Sequence, residues 1–193
     1  MTKDAYHHGN LRAALLAAAL DALQDIPAAK LSLRQLAIRL DVSANAPYAH
    51  FASKDALLAA VRREGFVRLK SEMLEALAAA EAGGQARLAA LGRAYLRFGR
   101  GHPNLYALMF SGTGTPGGTA SQAETDSFAL LRQSIDTTHR DPDLPVFAWA
   151  LVHGLVTLDT ARALQFVNPP GAAIEDLAPR LAAILVAGEG GAA

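Results

Sequence analysis

The sequence predicts an all-α fold of about nine helices, divided into a three-helix N-terminal domain over 1–53 and a larger helical domain over 54–193. Three observations predict it. Alanine and leucine dominate the 193 residues while β-branched and aromatic residues are sparse, which favours helix over sheet. Apolar residues recur three and four apart through most of the chain. No stretch reads as a convincing strand, and no internal repeat is visible.

The first helix is expected to start after Asn10, whose side chain can accept a hydrogen bond from a free N–H, and to end before Pro27. Its apolar stripe is Leu16, Leu20 and Leu23, widened by Leu11, Leu15 and Ala19. Ser32-Leu33-Arg34-Gln35 fits a capping box, with Ser at the N-cap and Gln at N3. Leu33, Leu36, Ala37 and Leu40 then give a short helix one buried face, which Asp41-Val42-Ser43 breaks. Ser43 can cap a further short helix to about Ala49, with Pro47 in its early turns. Ser53-Lys54-Asp55 opens a long helix through Leu57, Val61, Phe66, Leu69, Met73 and Leu77 to about Ala80.

Gly83-Gly84 is the next break. Helices are expected from Gln85 to Arg100 and from Asn104 to Phe110, parted at Gly101-His102-Pro103. Ser111 to Ala120 is the one clear loop, and Ser121 to His139 returns to helix. Val146 to Leu164 is apolar almost all round, which implies burial on most sides. Ile174, Leu177, Leu181 and Ile184 alternate spacings of three and four, a seam suited to a facing helix.

Composition excludes several classes. Half the residues are apolar, so the chain can bury a core and is not a disordered tail. Net charge is zero; through Gly65 there are eight Lys/Arg against six Asp/Glu, so the N-terminal third is only slightly basic. Any nucleic-acid reading must therefore rest on a motif. With no cysteine there is no disulfide, thiolate zinc site or Cys nucleophile. The N-terminus lacks an apolar signal segment and no apolar run is long enough to span a bilayer, so a cytoplasmic chain with no membrane partner is expected.

Gly112-Thr113-Gly114-Thr115-Pro116-Gly117 formally matches a dinucleotide fingerprint but follows a helix, not a strand, and reads as a loop. His139, Asp141 and Asp143, and His7 with His8, are better explained as loop and solvated-arm residues than as metal ligands. No cofactor or metal is expected, nor an enzyme: His153 with Asp159 is the strongest catalytic pairing, and nothing arranges a nucleophile for it.

The segment Ser32 to Phe51, SLRQLAIRLDVSANAPYAHF, has the anatomy of a helix-turn-helix. Small Ala37 sits where two helices would approach closest, Leu36, Leu40 and Val42 supply the hinge core, and Asp41 occupies the turn, where Asp tolerates left-handed backbone. The second helix is small and polar through Ser43, Ala44, Asn45 and Ala46, with bulk only at Tyr48, His50 and Phe51.

YHHGNLRAALLAAALDALQ and LSLRQLAIRLDVSANAPYAHFASKDALLAAV together resemble the N-terminal domain of TetR/AcrR-family transcriptional regulators, most specifically in APYAHFASKDALL. Trp149-Ala150-Leu151-Val152-His153-Gly154 resembles the Trp…His-Gly signature of one subfamily's effector domain. Family members often carry Gly where Asp41 stands and a Gly-containing turn at Asp25-Ile26-Pro27, and both substitutes can make turns. The resemblance implies a dimer that binds pseudo-palindromic double-stranded DNA and is released by a small molecule. Ser43, Ala44, Asn45 and Ala46 would face base edges; Tyr48, His50 and Lys54 would contact phosphates; Ser32 and Arg34 would touch backbone. Packing at the hinge is the alternative for Tyr48 and His50, plain solvation for Arg34, and Ser32 is a cap in either case.

In the larger domain, Leu105, Tyr106, Met109, Phe110, Phe128, Leu131, Trp149 and His153 are candidates to line an effector pocket, although each taken alone, His153 apart, fits a core residue better than a ligand contact. A histidine in an apolar helix needs a polar partner, so His153 is either a satisfied core residue or a handle on the effector. Val152, Val156, Ile174, Leu177, Leu181 and Ile184 suit a two-helix face that pairs with its own copy as a four-helix bundle. The alternative is that these helices are interior to a monomer. A helical ligand-binding or interaction module without DNA binding is the rival to the whole reading, ahead of a small helical enzyme.

Overall fold

The computed structural model describes residues 11–111, 122–136, 142–166 and 173–187. The described residues form eight α-helices and no strand: α1 (Leu11–Asp25), α2 (Leu33–Arg39), α3 (Lys54–Ala78), α4 (Gly84–Gly101), α5 (Pro103–Phe110), α6 (Gln122–Asp136), α7 (Leu144–Thr160) and α8 (Ala178–Ala187). Short 3-10 turns add Ala28–Lys30, Ala46–Ala49, Ala163–Phe166 and Ile174–Leu177. The expected apolar seam from Ile174 to Ile184 thus divides, with Ile174–Leu177 in a 3-10 turn and α8 starting at Ala178. Asn10 and the expected loop after Ser111 lie outside the described residues. The chain divides into two units, Met1–Gly65 with His102–Gly118, and Phe66–Gly101 with Thr119–Ala193.

In the first unit α1 turns Leu11, Leu15, Ala18, Ala19, Leu20 and Leu23 inward and stops at Asp25, two residues before Pro27. It packs against α2, the 46–49 turn and α5. α2 buries Leu33, Leu36 and Ala37, and each buried leucine contributes roughly 1.5–3 kcal/mol. Ser32 occupies the N-cap with extended backbone, but its side chain makes no capping bond. The capping box read from Ser32 and Gln35 is therefore corrected: the Ser32 carbonyl accepts Leu36 N–H at 3.1 Å, and the helix starts without the side-chain cap.

The exit from α2 is local chemistry. Val42 N–H donates to the Ala37 carbonyl at 3.0 Å and Asp41 N–H to that of Ile38 at 3.2 Å. Asp41 sits at φ 55, so the helix ends in a Schellman motif with aspartate where glycine is usual. The second helix of the motif differs from expectation. Ser43 caps nothing with its side chain; its carbonyl instead accepts Ala46 N–H at 3.0 Å, and only Ala46–Ala49 is helical, as a 3-10 turn. Pro47 is the reason: it has no N–H to make the i+4 bond back to Ser43, so the tighter i+3 pattern prevails.

α3 begins as read, with Ser53 Oγ accepting Ala56 N–H at 3.1 Å and Asp55 in the first turn. At Gly65 a Cβ would stand 2.6 Å from Met109 Sδ, so α5 seats against α3 only because no side chain is there. Asn104 Nδ2 donates to the Leu23 carbonyl at 3.0 Å, and the Gln24 amide meets His102 Nδ1 at 3.0 Å. These bonds fasten both the start of α5 and the residue before it to the end of α1.

The second unit is built on α4, which buries Leu88, Leu91, Tyr95, Leu96 and Phe98 and packs against α6, α7 and α8. Gly99 lets α7 close in, because a Cβ there would lie 2.5 Å from Val156 Cγ1. α7 was expected to be buried on most sides. It is not: Val146, Phe147, Leu151 and Leu158 are exposed, since only Leu144, Pro145, Ala148 and Val156 turn inward. Within one chain α4, α6 and α8 cover part of α7 and leave the apolar face of Phe147, Leu151 and Leu158 open.

Candidate nucleic-acid interface and sensor cluster

The reading head lies wholly in the first unit. Phe51 and Pro47 are buried and anchor the motif's second half from below, with the Arg12 guanidinium 5.1 Å from the Phe51 ring centroid. Above them Arg34, Ser43, Ala44, Asn45, Tyr48 and His50 are exposed, and Ser32, Ala46 and Lys54 are half-buried. Tyr48 is 53% exposed, so it does not pack into the hinge. A face of small residues flanked by a phenol and an imidazole presents donors to an acceptor-rich partner without bulk to keep it away.

Lys54 has a second task that its charge did not reveal. Its Nζ donates to the Ala29 carbonyl at 2.5 Å, tying the start of α3 to the turn after α1. An ammonium has three donors, so this bond leaves it able to reach an anion as well. Arg39 pairs with Asp21 and braces α2 against α1.

The sensor candidates divide between the units. Leu105, Tyr106, Met109 and Phe110 belong to the first, where Tyr106 and Phe110 stack at 4.7 Å between centroids and Met109 is fully buried. Phe128, Leu131, Trp149 and His153 belong to the second. Of these, three come together: Phe128 meets Trp149 edge-on at 6.0 Å, and Trp149 lies 5.3 Å from the His153 ring. Leu131 is buried on α6.

The residue that organises this cluster is Tyr95, which sequence reasoning missed. Its hydroxyl accepts from Trp149 Nε1 at 3.2 Å and lies 3.2 Å from His153 Nδ1. The hydroxyl has one proton to give. With Trp149 donating to it, the hydroxyl can give that proton to an unprotonated Nδ1 or accept from a protonated one, so the contact fits the neutral ring in either tautomer. Burial pushes His153 below the usual histidine value and favours the same neutral form. Nothing in GRAYLRFGR marks Tyr95 as special; its role depends on which face of α4 meets α7.

The dimerisation candidates also separate. Val156 and Ile174 are 1% and 2% exposed, so both side chains are spent in the chain's own core. Val152, Leu177 and Leu181 are half-buried, and Ile184 is 66% exposed. Phe147, Leu151 and Leu158, which share one face of α7 at spacings of four and seven, are the exposed apolar residues that spacing alone did not single out.

Among the described residues there is no group of three side chains fit to hold a metal ion, and no helix is long and apolar enough to cross a membrane. A three-element helix-turn-helix head with a separate helical unit defines the class of DNA-binding transcriptional regulators. Comparison with known proteins agrees. Residues 15–61 match the family described as bacterial regulatory proteins, tetR family, and residues 88–182 match a tetracyclin repressor-like C-terminal domain. The chain belongs to the TetR family.

No curated protein matches it. A solved protein of unknown function from Rhodococcus sp. RHA1 is 34% identical, with 96% of this chain and 98% of that one covered and a TM-score of 0.80. SCO4313, a candidate regulatory protein, is 21% identical over 97% of this chain and 100% of its own, with a TM-score of 0.71. A TetR variant from Acinetobacter baumannii AYE in complex with minocycline is 20% identical over 90% and 93%, with a TM-score of 0.62. At these identities the last two are similar in fold.

Proposed function

We propose that the chain is a non-catalytic, cytoplasmic repressor whose homodimer binds a pseudo-palindromic operator and releases it when a small, mainly apolar effector binds. The observation that carries this reading is the exposed face of the 43–50 segment, held rigid by the Asp41 turn and by buried Pro47 and Phe51. Residues 1–53 act as the reading head. Ser43, Ala44, Asn45 and Ala46 face base edges, with Asn45 able to pair with adenine; Tyr48, His50, Lys54, Ser32 and Arg34 hold the phosphate backbone.

Residues 54–193 carry the effector and dimer functions. The Tyr95, Trp149 and His153 cluster, walled by Phe128, supplies a polar end in an apolar setting, the combination expected of a small-molecule site. Leu131 supports it from the core, and Leu105, Tyr106, Met109 and Phe110 carry the response in the unit that also holds the reading head. That one TetR structure is in complex with minocycline supports a small-molecule effector without naming this one.

Self-association through α7 and α8 accounts for the exposed Phe147, Leu151, Leu158 and Ile184, with Val152, Leu177 and Leu181 at the margin and Val156 and Ile174 supporting from beneath. The effector prefers a dimer in which the two reading heads are mis-spaced for successive major grooves, about 34–36 Å apart, so DNA and effector oppose one another.

Selection of bound sequences from a random duplex library at near-physiological salt tests the proposal. An inverted repeat with half-sites about one helical turn apart is the expected result. A folded dimer that enriches no sequence would overturn the repressor reading and leave a ligand-binding module.

A further inference from the structure

A groove of about 800 Å³ lies within the second unit, between the C-terminal end of α3, the α3–α4 turn and α4, with Pro179 of α8 at its edge. It is distinct from the Tyr95, Trp149 and His153 cluster, none of which lines it. Its walls are low because they are made of methyl groups: eight of the fifteen lining residues are alanine, among them Ala76 on α3, Ala79 just after it, and Ala86 and Ala90 on α4. That volume falls within the range of small-molecule sites.

The polar groups are not spread evenly along it. Ala86, Ala90, Arg93 and Arg97 are spaced four, three and four apart, so they share one face of α4, with the methyl groups toward the α3–α4 turn and the guanidinium groups at the far end. At 1.5 Å per residue the step from Ala86 to Arg93 is about 10 Å. The one acidic lining residue, Glu81, is in the turn, at the opposite end from both arginines. Arg97 lies 3.8 Å from Glu72. Arg93 has no ion-pair partner among the described residues.

We infer that this groove binds an amphipathic carboxylate, its apolar tail along the alanine track and its anionic head at Arg93, with Arg97 alongside. The positive charge at one end and the alanine walls leading to it fit such a molecule better than a neutral lipid or a cation. The groove shares no lining residue with the Tyr95, Trp149 and His153 cluster, and its test needs no DNA.

The test is calorimetric titration of the full-length protein with decanoate, decanol and decyltrimethylammonium. Decanoate is expected to bind, decanol roughly three- to tenfold more weakly, and the cation not at all. Arg93→Gln should reduce decanoate affinity by the same three- to tenfold and leave decanol unchanged. Arg93→Glu should lose decanoate and gain the cation, which a merely misfolded variant would not do. Ala90→Phe, which fills the track, should abolish binding of both decanoate and decanol. Equal affinity for decanoate and decanol, indifference to Arg93→Gln, no binding of decanoate, or binding unchanged by Ala90→Phe would each overturn the proposal.

Discussion

The Tyr95 hydroxyl lies 3.2 Å from Nδ1 of His153 and also accepts the Trp149 indole N–H at 3.2 Å, so one oxygen on α4 joins two rings of α7. Burial of His153 favours the neutral imidazole. The folded chain therefore takes up the His153 proton less readily than the unfolded chain does. The unfolded state binds more protons below the ordinary histidine value of about 6.5, so stability must fall as pH drops through that value and toward the lower folded one. Thermal melting from pH 8 to pH 5 should show this loss in the wild type. His153→Asn, which cannot titrate, should flatten the slope; an unchanged slope would remove His153 as its source.

The turn at Asp41 makes a second prediction. A left-handed φ of 55 costs an ordinary L residue about 1–2 kcal/mol, less for Asp or Asn, and nothing for glycine. Asp41→Ala should destabilise by about 1 kcal/mol and Asp41→Gly should match or exceed the wild type, as read by denaturant midpoint. The opposite order would mean that the Asp41 carboxylate, not its backbone, matters.

Gly99 and Val156 form a mutually dependent pair, since a Cβ on Gly99 would meet both Val156 methyls inside 3 Å. Gly99→Ala should cost about 1–3 kcal/mol from overpacking. Adding Val156→Ala should recover part of that loss, giving a double-mutant coupling of about 1 kcal/mol. Additive costs would show that α4 and α7 can move apart freely.

In the reading head, Asn45 and Lys54 should fail differently. Asn45→Ala should flatten discrimination among operator variants, with the largest change about 1–3 kcal/mol at one base pair. Lys54→Ala should weaken binding to every duplex alike and reduce its salt dependence. It should also lower stability by about 1 kcal/mol, because the bond to the Ala29 carbonyl is lost. Competition binding across a panel of single-base variants separates the two.

What could be read from the sequence was what is decided locally. The Asp41 turn, the Ser53 cap and the end of α1 before Pro27 depend on residues within a few positions of each other, and all three appear where expected. The second helix of the motif is shorter than its sequence pattern suggests for an equally local reason: the missing Pro47 N–H removes the bond back to Ser43 and leaves a 3-10 turn. Contacts between distant segments were not legible. Tyr95 is fifty-eight residues from His153, and no periodicity says which face of α4 meets α7. The grouping of α5 with α1 rests on Asn104 reaching a carbonyl eighty-one residues away. Nor could spacing distinguish Val156, spent in the core, from Leu158 two residues later and 45% exposed, because both are apolar on an apolar helix.

The most direct test of sequence-specific DNA binding is an anisotropy titration of the selected duplex and a scrambled one over a series of salt concentrations. The account predicts two protomers per selected duplex and a preference over scrambled DNA of about a thousandfold or more, with affinity falling steeply as salt rises. Equal affinity for the two duplexes, or binding by a single protomer, would contradict it.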